Sequence, residues 1–299
     1  MIYQHPLAYL LGLEGVALLR AFAGEHDRAF VEERFDEIRR LLDERERFGD
    51  GTTIEPISAT EGYRRWAPSY DQPGNGLIDV EGPIVQAIID ELPVGTALDA
   101  ACGTGRHTEH LVARGHRVIA VDASPDMLER ARARVPGAEY HEADLHELPL
   151  PDEHVDLVVC ALALAHVPDL DAAFRELARV VKPGGHLVIS DAHGLAAGIR
   201  PPVILADQDG TPGYLPHTNR LVGDYVRAAL ASGLRLLRCE EPRTGPSREL
   251  EGVELTAEEM LPDGPPNIWL LHYWHPSASI AAFRNQPVAL VLHVQRDER

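Results

Sequence analysis

The strongest constraint on the fold is a series of apolar segments that alternate with helical segments from residue 96 onward. Amphipathic stretches at 104–114 and 125–134 separate the first three apolar segments, and another at 169–181 precedes the fifth. Strands that alternate with helices form a parallel sheet covered on both faces, joined by right-handed crossovers. The apolar segments are TALDAAC, HRVIAVDA, AEYHEAD, VDLVVCAL and GHLVISDAH. The sequence therefore predicts a doubly wound α/β core.

Two helices are predicted ahead of this core. The first (1–24) is mostly apolar, and the second (25–47) has charge on one side and an apolar stripe on the other. The stripe consists of Val31, Phe35, Ile38 and Leu42. Because the stripe exceeds what a lone surface helix needs, we expect an N-terminal helical hairpin over residues 1–58 that acts as a lid or as the contact of a homodimer.

The Rossmann-like core is predicted over residues 59–299, with insertions at about 194–218 and 243–287. The first insertion is rich in proline and glycine, and the second is too long for a simple hairpin. A helix at 219–232 lies between them. Two further strands, LRLLRCEE and PVALVLHVQ, extend the sheet.

Charge and cysteine content exclude several classes of partner. The 47 acidic residues against 28 lysines and arginines give a net charge of −19, which repels a nucleic acid backbone. Cys102, Cys160 and Cys239 are odd in number and lack metal-ligand spacing, so they indicate reduced thiols of a cytoplasmic protein. The apolar N-terminus lacks a basic start and contains Glu14, which argues against a signal peptide or a membrane span. No metal, nucleic acid or membrane partner is expected.

A glycine turn, DAACGTG, follows the first strand of the core. Ligands of open α/β sheets bind at this edge, beyond the carboxyl ends of the strands. Gly103 and Gly105 let the backbone pass closely under a ligand, and the next helix begins with free N–H groups. A dinucleotide motif requires a third small residue where this chain has Thr108. An NAD(P)-binding oxidoreductase is therefore the alternative hypothesis.

Acidic residues lie at the ends of three successive strands: Asp99, Asp122 and Asp144. Asp122 stands 17 residues after Gly105, where a carboxylate can accept hydrogen bonds from both hydroxyls of a ribose. Asp144 can accept from the amino group of adenine, with the backbone N–H of Leu145 beside it. Asp122 alone could cap the following helix. Three acids at successive strand ends favour a bound nucleoside.

Four motifs together resemble the class I S-adenosylmethionine-dependent methyltransferases, in the branch with ubiquinone-biosynthesis-like and other small-molecule enzymes. They are LDAACGTG, VDASPDML, ADLHELPLPDEHVDLVVCALALAHVPD and LARVVKPGGHLVISD, within about residues 60–195. The resemblance implies a mostly parallel seven-stranded sheet whose antiparallel last strand lies beside the fifth, with S-adenosylmethionine as cofactor. The usual motif has glycine where this chain has Ala101. Alanine fits there if its φ is negative.

The resemblance also implies which residues bind the cofactor. The glycine turn would underlie it, Asp122 would bind its ribose, and Asp144 with Leu145 would bind its adenine. Met127 would pack on the adenine or belong to the core. Tyr70 would cover the methionine part or anchor the connector, and Arg106 would meet the cofactor carboxylate or remain solvated. The complete predicted set is Tyr70, Asp99, Ala101, Cys102, Gly103, Gly105, Arg106, Asp122, Ala123, Met127, Asp144, Leu145 and Ala161.

Two histidines are the predicted catalytic residues. Methyl transfer requires an aligned acceptor and, for a protonated nucleophile, a base. His166 follows the fourth strand and His193 ends the fifth, so both are expected on the acceptor side, unless His166 caps a helix and His193 is a loop residue. We predict methyl transfer to a small molecule of secondary metabolism, with O-methylation favoured over N- or C-methylation. A non-catalytic protein that retains the cofactor pocket is a further alternative.

Overall fold

A computed structural model describes residues 1–72, 75–197, 201–243, 255–261 and 264–298, so parts of both predicted insertions lie outside the described residues. The helices are α1 (Pro6–Phe22), α2 (Arg28–Asp43), α3 (Ala59–Trp66), α4 (Gly76–Asp90), α5 (Arg106–Ala113), α6 (Pro125–Arg134), α7 (Leu170–Val180), α8 (Gly194–Ala197), α9 (Val222–Ala231), α10 (Ala257–Met260), α11 (Ile268–Leu271) and α12 (Pro276–Phe283). The strands are β1 (Ile2–Gln4), β2 (Thr52–Pro56), β3 (Thr96–Ala100), β4 (Arg117–Asp122), β5 (Glu139–Glu142), β6 (Val155–Ala161), β7 (Val181–Ala192), β8 (Ile204–Ala206), β9 (Pro212–Tyr214), β10 (Leu234–Glu240) and β11 (Ala289–Arg296). Two compact units divide these elements.

The larger unit contains the main sheet. Among the described residues, seven strands pair in the order β10-β11-β7-β6-β3-β4-β5. The pairings of β3, β4, β5, β6 and β7 with one another are parallel, whereas β11 is antiparallel to both β7 and β10. The predicted α/β fold, with its antiparallel last strand beside the fifth strand of the core, is confirmed.

Both faces of this sheet are buried under helices. Alternate residues of β3 point to opposite faces, so Leu98 packs in one apolar cluster with Phe174 of α7. Its neighbour Ala97 packs in a second cluster with Val85 and Ile89 of α4. Strands that are apolar on both sides require this double cover. The ligand-accessible part of such a sheet is therefore its carboxyl edge.

The smaller unit includes the N-terminal hairpin. Helix α1 packs against α2 and α12, and Leu10 of α1 meets Leu41 of α2 in an apolar cluster. Strand β2 pairs with β1 antiparallel and with β9 parallel. No helix within the described ranges combines the length and the apolar character that crossing a bilayer requires.

The buried face of α2 differs from the predicted apolar stripe. Phe35 and Leu42 are 53% and 49% exposed, whereas Arg34 and Glu37 are buried beside Leu41. The guanidinium of Arg34 lies 3.1 Å from the buried carboxylate of Glu14 in α1 and donates to the Ser277 hydroxyl. The buried guanidinium of Arg34 is tolerated because it is ion-paired with Glu14 and because its other nitrogens are hydrogen-bonded. An apolar pattern alone does not identify such a face.

Candidate functional site

The turn between β3 and α5 forms the centre of the candidate site. Its residues Ala101, Gly103 and Gly105 have φ values of 59°, 55° and 84°. A Cβ on Gly105 would lie 3.1 Å from backbone and side-chain atoms of Ala131 in α6, so glycine is required there. A Cβ on Gly103 would meet no atom within 4 Å, so this glycine borders open space.

The condition under which alanine fits the start of the turn, a negative φ at Ala101, is not met. With φ at 59°, its Cβ approaches the following carbonyl group, and a left-handed conformation costs a non-glycine residue about 1–2 kcal/mol. The surrounding contacts therefore hold the start of the turn in a strained conformation. Glycine would adopt the same backbone without this cost.

The carboxylate of Asp122, at the end of β4, fixes the turn. Its Oδ2 accepts the Gly103 N–H at 2.7 Å, and its Oδ1 accepts the Ser124 N–H at 2.8 Å. Burial raises the pKa of Asp122, and these N–H groups oppose that rise by stabilising the ionised form. Each carboxylate oxygen retains a second lone pair for a further donor.

An open pocket lies over this turn. Many of the predicted site residues line it: Tyr70, Ala101, Gly103, Asp122, Ala123, Asp144, Leu145, Ala161 and His166. In the described part of the chain, the lining contains no lysine or arginine. Carboxylates and aromatic rings around a site without fixed positive charge suit a ligand that carries a sulfonium cation. The residues present therefore fit S-adenosylmethionine.

Aromatic side chains from the start of the unit form one wall. Tyr63 of α3 lines the pocket, and its ring meets that of His166 edge to face at a centroid distance of 5.7 Å. Tyr70 packs on Trp66 at 5.0 Å. Burial raises the pKa of Tyr70 to about 12 and that of Tyr63 well above its usual value, so both hydroxyls stay protonated at neutral pH.

Comparison with known proteins identifies this arrangement. Residues 98–189, which include the glycine turn and the strand ends described above, match a family model described as a methyltransferase domain. The chain carries a class I S-adenosylmethionine-dependent methyltransferase domain. The predicted family and its cofactor, S-adenosylmethionine, are confirmed, and this match counts against the alternative of an NAD(P)-binding oxidoreductase.

Individual relatives of the methyltransferase domain cover parts of the chain. A malonyl-[acyl-carrier protein] O-methyltransferase of Yersinia pestis is 37% identical over 138 residues, which are 46% of this chain and 51% of that protein. A demethylmenaquinone methyltransferase of Streptomyces griseus is 36% identical over 107 residues, 36% of this chain and 46% of that protein. The chain thus spans about half the length of the curated relatives it matches. A solved S-adenosylmethionine-dependent methyltransferase from Mesorhizobium loti has 26% identity and a TM-score of 0.50, over 72% of this chain and 97% of that one.

Several predicted residues of the methyltransferase domain do not line the pocket. In the described residues these are Asp99, Cys102, Gly105, Arg106, Met127 and His193. Asp99 is buried and accepts the Thr108 hydroxyl at 2.6 Å, which ties β3 to α5, and burial raises its pKa. Cys102 packs in an apolar cluster with Leu128, and Met127 is 1% exposed. These side chains support the turn from below.

The guanidinium of Arg106 is committed to the buried carboxylate of Glu81 in α4. Burial opposes ionisation of Glu81, but the His107 ring, 3.8 Å away, and the charge of Arg106 outweigh burial and lower its pKa. The Ser190 hydroxyl donates to the other Glu81 oxygen at 3.0 Å. Arg106 therefore joins α5 to α4, Glu81 joins α4 to β7, and Arg106 is not among the described residues that line the pocket.

The two predicted catalytic histidines have different surroundings. His166 lines the pocket, and its Nδ1 lies 2.9 Å from the Pro216 carbonyl oxygen, which can only accept. Nδ1 therefore carries the proton and Nε2 carries the lone pair. Burial lowers the pKa of His166, so the ring is neutral at pH 7. His193 instead accepts the Leu195 N–H at Nδ1 and lies 2.7 Å from Glu241 through Nε2, so neither nitrogen is available.

His146 is a lining residue that the sequence prediction missed. Its Nδ1 lies 2.5 Å from Asp144 Oδ1, and its Nε2 lies 3.2 Å from the Asp169 carbonyl oxygen. The backbone N–H of His146 donates to the same Asp144 oxygen at 2.8 Å. The spacing of an acid and a histidine two residues apart at a strand end was the available signal. His146 orients the Asp144 carboxylate at the rim of the pocket.

Proposed function

We propose that this protein transfers the methyl group of S-adenosylmethionine to a hydroxyl oxygen of a small, uncharged molecule, with His166 as the general base. The observation that carries the proposal is a neutral histidine in the pocket wall whose Nδ1 proton is held by the Pro216 carbonyl. Its Nε2 lone pair is thereby kept for an acceptor. That the acceptor belongs to secondary metabolism remains a prediction.

The residues that would hold the cofactor lie along the turn and the two following strand ends. Asp122 would accept from the ribose hydroxyls with the lone pairs left by Gly103 and Ser124. Asp144 and the Leu145 N–H would bind the adenine, and Tyr70 would cover the methionine part. When bound, the cofactor supplies a methyl group activated by the sulfonium charge. The chain itself contributes alignment and proton removal.

Elimination among the polar lining residues favours His166 as the base. The hydroxyls of Tyr63 and Tyr70 stay protonated because burial raises the pKa of each. Both ring nitrogens of His146 face acceptor oxygens. Nε2 of His166 would take the acceptor's hydroxyl proton while the acceptor oxygen bonds the methyl carbon. The methyl carbon–sulfur bond would break as the new carbon–oxygen bond forms, with S-adenosylhomocysteine as the leaving group, and the His166 imidazolium would return the proton to solvent.

The charge of the lining indicates the class of acceptor. Asp122 and Asp144 are acidic, and the described lining residues include no lysine or arginine that could neutralise an acceptor carboxylate. A carboxylate would enter this site without a partner, which costs free energy when it is desolvated. Neutral phenols and alcohols avoid this cost. The relative from Yersinia pestis is named a malonyl-[acyl-carrier protein] O-methyltransferase, which favours oxygen as the accepting atom. The neutral class of acceptor rests on the charge of the lining alone, since a malonyl group carries a carboxylate.

Calorimetry with S-adenosylhomocysteine, followed by transfer of a labelled methyl group to phenols, primary alcohols, aromatic amines and carboxylic acids, tests the proposal. We expect micromolar cofactor binding and methylation of neutral hydroxyl compounds. His166→Gln should lower kcat about 10²-fold with unchanged cofactor affinity. His154→Gln, which alters a histidine just before the start of β6, is the control.

Each arm of this experiment can contradict a separate part of the proposal. Absence of cofactor binding would remove the function altogether. Binding without transfer to any compound would favour the non-catalytic alternative. Faster transfer to carboxylic acids would overturn the acceptor class, and full activity of His166→Gln would overturn the base.

A further inference from the structure

The turn that carries His166 has little regular structure of its own. It connects β6 to α7 through residues 162–169, of which only Leu164–His166 form a single 3-10 turn. A side chain on such a turn acts reproducibly only if other residues fix the backbone beneath it. A second segment, 216–220, supplies these contacts from about fifty positions further along the chain.

This second segment, 216–220, donates hydrogen bonds to the backbone carbonyls of the turn that carries His166. The Arg220 guanidinium donates to the carbonyl oxygens of Leu164, Val167 and Pro168. The Thr218 N–H donates to the Ala165 carbonyl oxygen at 2.7 Å. In the opposite direction, the Pro216 carbonyl accepts from His166 Nδ1. The same segment therefore fixes both the backbone of the turn and the tautomer of the histidine.

Arg220 is buried within this contact. It is 8% exposed. The carboxylate of Asp191 at the end of β7 is 2% exposed; burial raises its pKa to about 6, and the positive charge of Arg220 opposes that rise. The Tyr225 hydroxyl of α9 donates to Asp191 Oδ2 at 2.8 Å, and the Ala192 N–H donates to Oδ1 at 2.8 Å. A Cβ on Gly194 would lie 2.0 Å from the Arg220 carbonyl oxygen, so the backbone around Arg220 is tightly packed.

We infer that Arg220 is a positioning residue for methyl transfer: it holds the turn so that His166 keeps its proton on Nδ1 and offers Nε2 to the acceptor. This inference rests on the proposed function. Arg220 lies behind the turn and is not one of the described residues that line the pocket. Its effect is therefore exerted through His166.

Lysine does not replace arginine in this role. The planar guanidinium presents several N–H groups in a fixed fork, which reaches three carbonyls at once. A single ammonium group on a flexible stem reaches fewer of them and holds them less rigidly. Arg220→Lys keeps the positive charge at this position but loosens the turn. The change separates positioning from charge balance.

The test compares Arg220→Lys with His166→Gln, the double variant and Arg296→Lys. Arg296 is the matched control, since its guanidinium also donates to three backbone carbonyls, those of Ala178, Arg179 and Val181. For the best acceptor of the panel above, Arg220→Lys should lower kcat 10- to 100-fold, with a smaller change in KM and with S-adenosylhomocysteine affinity within twofold. In the double variant the loss should equal that of His166→Gln alone. Arg296→Lys should lower stability and leave kcat unchanged.

A second readout needs no acceptor. Long-range ¹H–¹⁵N spectra of the histidine rings, assigned with His166→Gln, should show His166 protonated at Nδ1 in the wild type and as a mixture of tautomers in Arg220→Lys. Tyr225→Phe, a milder change, should produce a smaller shift in the same direction if Arg220→Lys does not fold.

The outcomes separate the inference from the function on which it rests. Multiplicative losses in the double variant, equal losses of kcat in Arg220→Lys and Arg296→Lys, or an unchanged tautomer would each overturn the positioning role. A wild-type protein that does not bind S-adenosylhomocysteine would instead overturn the proposed function, while the spectra would still report on the role of Arg220.

Discussion

Asp122→Asn tests the contact on which the cofactor site depends. In the native turn, Oδ2 accepts the Gly103 N–H at 2.7 Å and Oδ1 accepts the Ser124 N–H at 2.8 Å. Asparagine has one acceptor oxygen and one amide group that only donates. One of the two backbone N–H groups must therefore face another donor. The substitution changes hydrogen bonding with almost no change of volume.

The magnitude follows from these two contacts. A buried N–H that loses its acceptor costs about 1–3 kcal/mol. Burial raises the pKa of Asp122, so replacing the charged group recovers part of its desolvation cost, and we expect a net loss of about 1 kcal/mol in the free energy of unfolding. The ribose loses a charged acceptor as well, worth about 1.5–3 kcal/mol, or roughly a 10- to 100-fold rise in Kd.

Calorimetric titration with S-adenosylhomocysteine measures the affinity, and urea unfolding measures the stability. Glu129→Gln removes the same charge from an exposed position of α6 and should leave both quantities unchanged. If Asp122→Asn bound S-adenosylhomocysteine as tightly as the wild type, Asp122 would not contact the ribose. The assignment of the pocket to the cofactor would then lose its main support.

Three further predictions concern the same unit. Thr108→Val removes the hydroxyl that donates to the buried Asp99 carboxylate at 2.6 Å, so urea unfolding should show a free energy of unfolding lower by about 2–3 kcal/mol. A loss under about 0.5 kcal/mol would contradict the proposed link between β3 and α5. Ala101→Gly relieves about 1 kcal/mol of left-handed strain, but glycine also raises the conformational entropy of the unfolded chain by about as much. The free energy of unfolding in urea should therefore stay within about 0.5 kcal/mol of the wild type. A loss above about 1 kcal/mol would show that the alanine methyl group itself is required. Because burial lowers the pKa of His166, the neutral base persists as pH falls below 6.5, and kcat should decrease only at lower pH; a midpoint at or above 6.5, or the same profile in His166→Gln, would refute its role.

The sequence predicted the fold and the position of the pocket because their signals are local. The end of each parallel strand and the glycine turn can be located from neighbouring residues, and all parallel strands end at one edge of the sheet. Asp122 and Asp144 therefore line the pocket as expected. The left-handed φ of Ala101 was missed because alanine rarely adopts it without support from distant contacts.

The remaining differences arise from partners that are distant in sequence. Asp99 and His193 both lie at strand ends, but neither is available to a ligand. Asp99 accepts the Thr108 hydroxyl, and His193 is hydrogen-bonded to Glu241, which is 48 residues away in sequence. The sequence did not predict a role for Arg220, because that role depends on carbonyl groups more than fifty residues earlier in the chain. Hydrophobic periodicity similarly missed the buried, charge-paired side of α2. Strand position alone does not distinguish a ligand-binding acid from a structural one.

The place of β11 in the sheet affects how the chain must assemble during synthesis. This strand separates β7 from β10, although roughly fifty residues are translated between the end of β10 and its own start. Until it emerges from the ribosome, β7 exposes an unpaired edge of the kind that recruits other chains. The main sheet is therefore completed only when β11, the last strand to be synthesised, inserts between β7 and β10. Nascent chains that stall before β11 should be especially prone to aggregate.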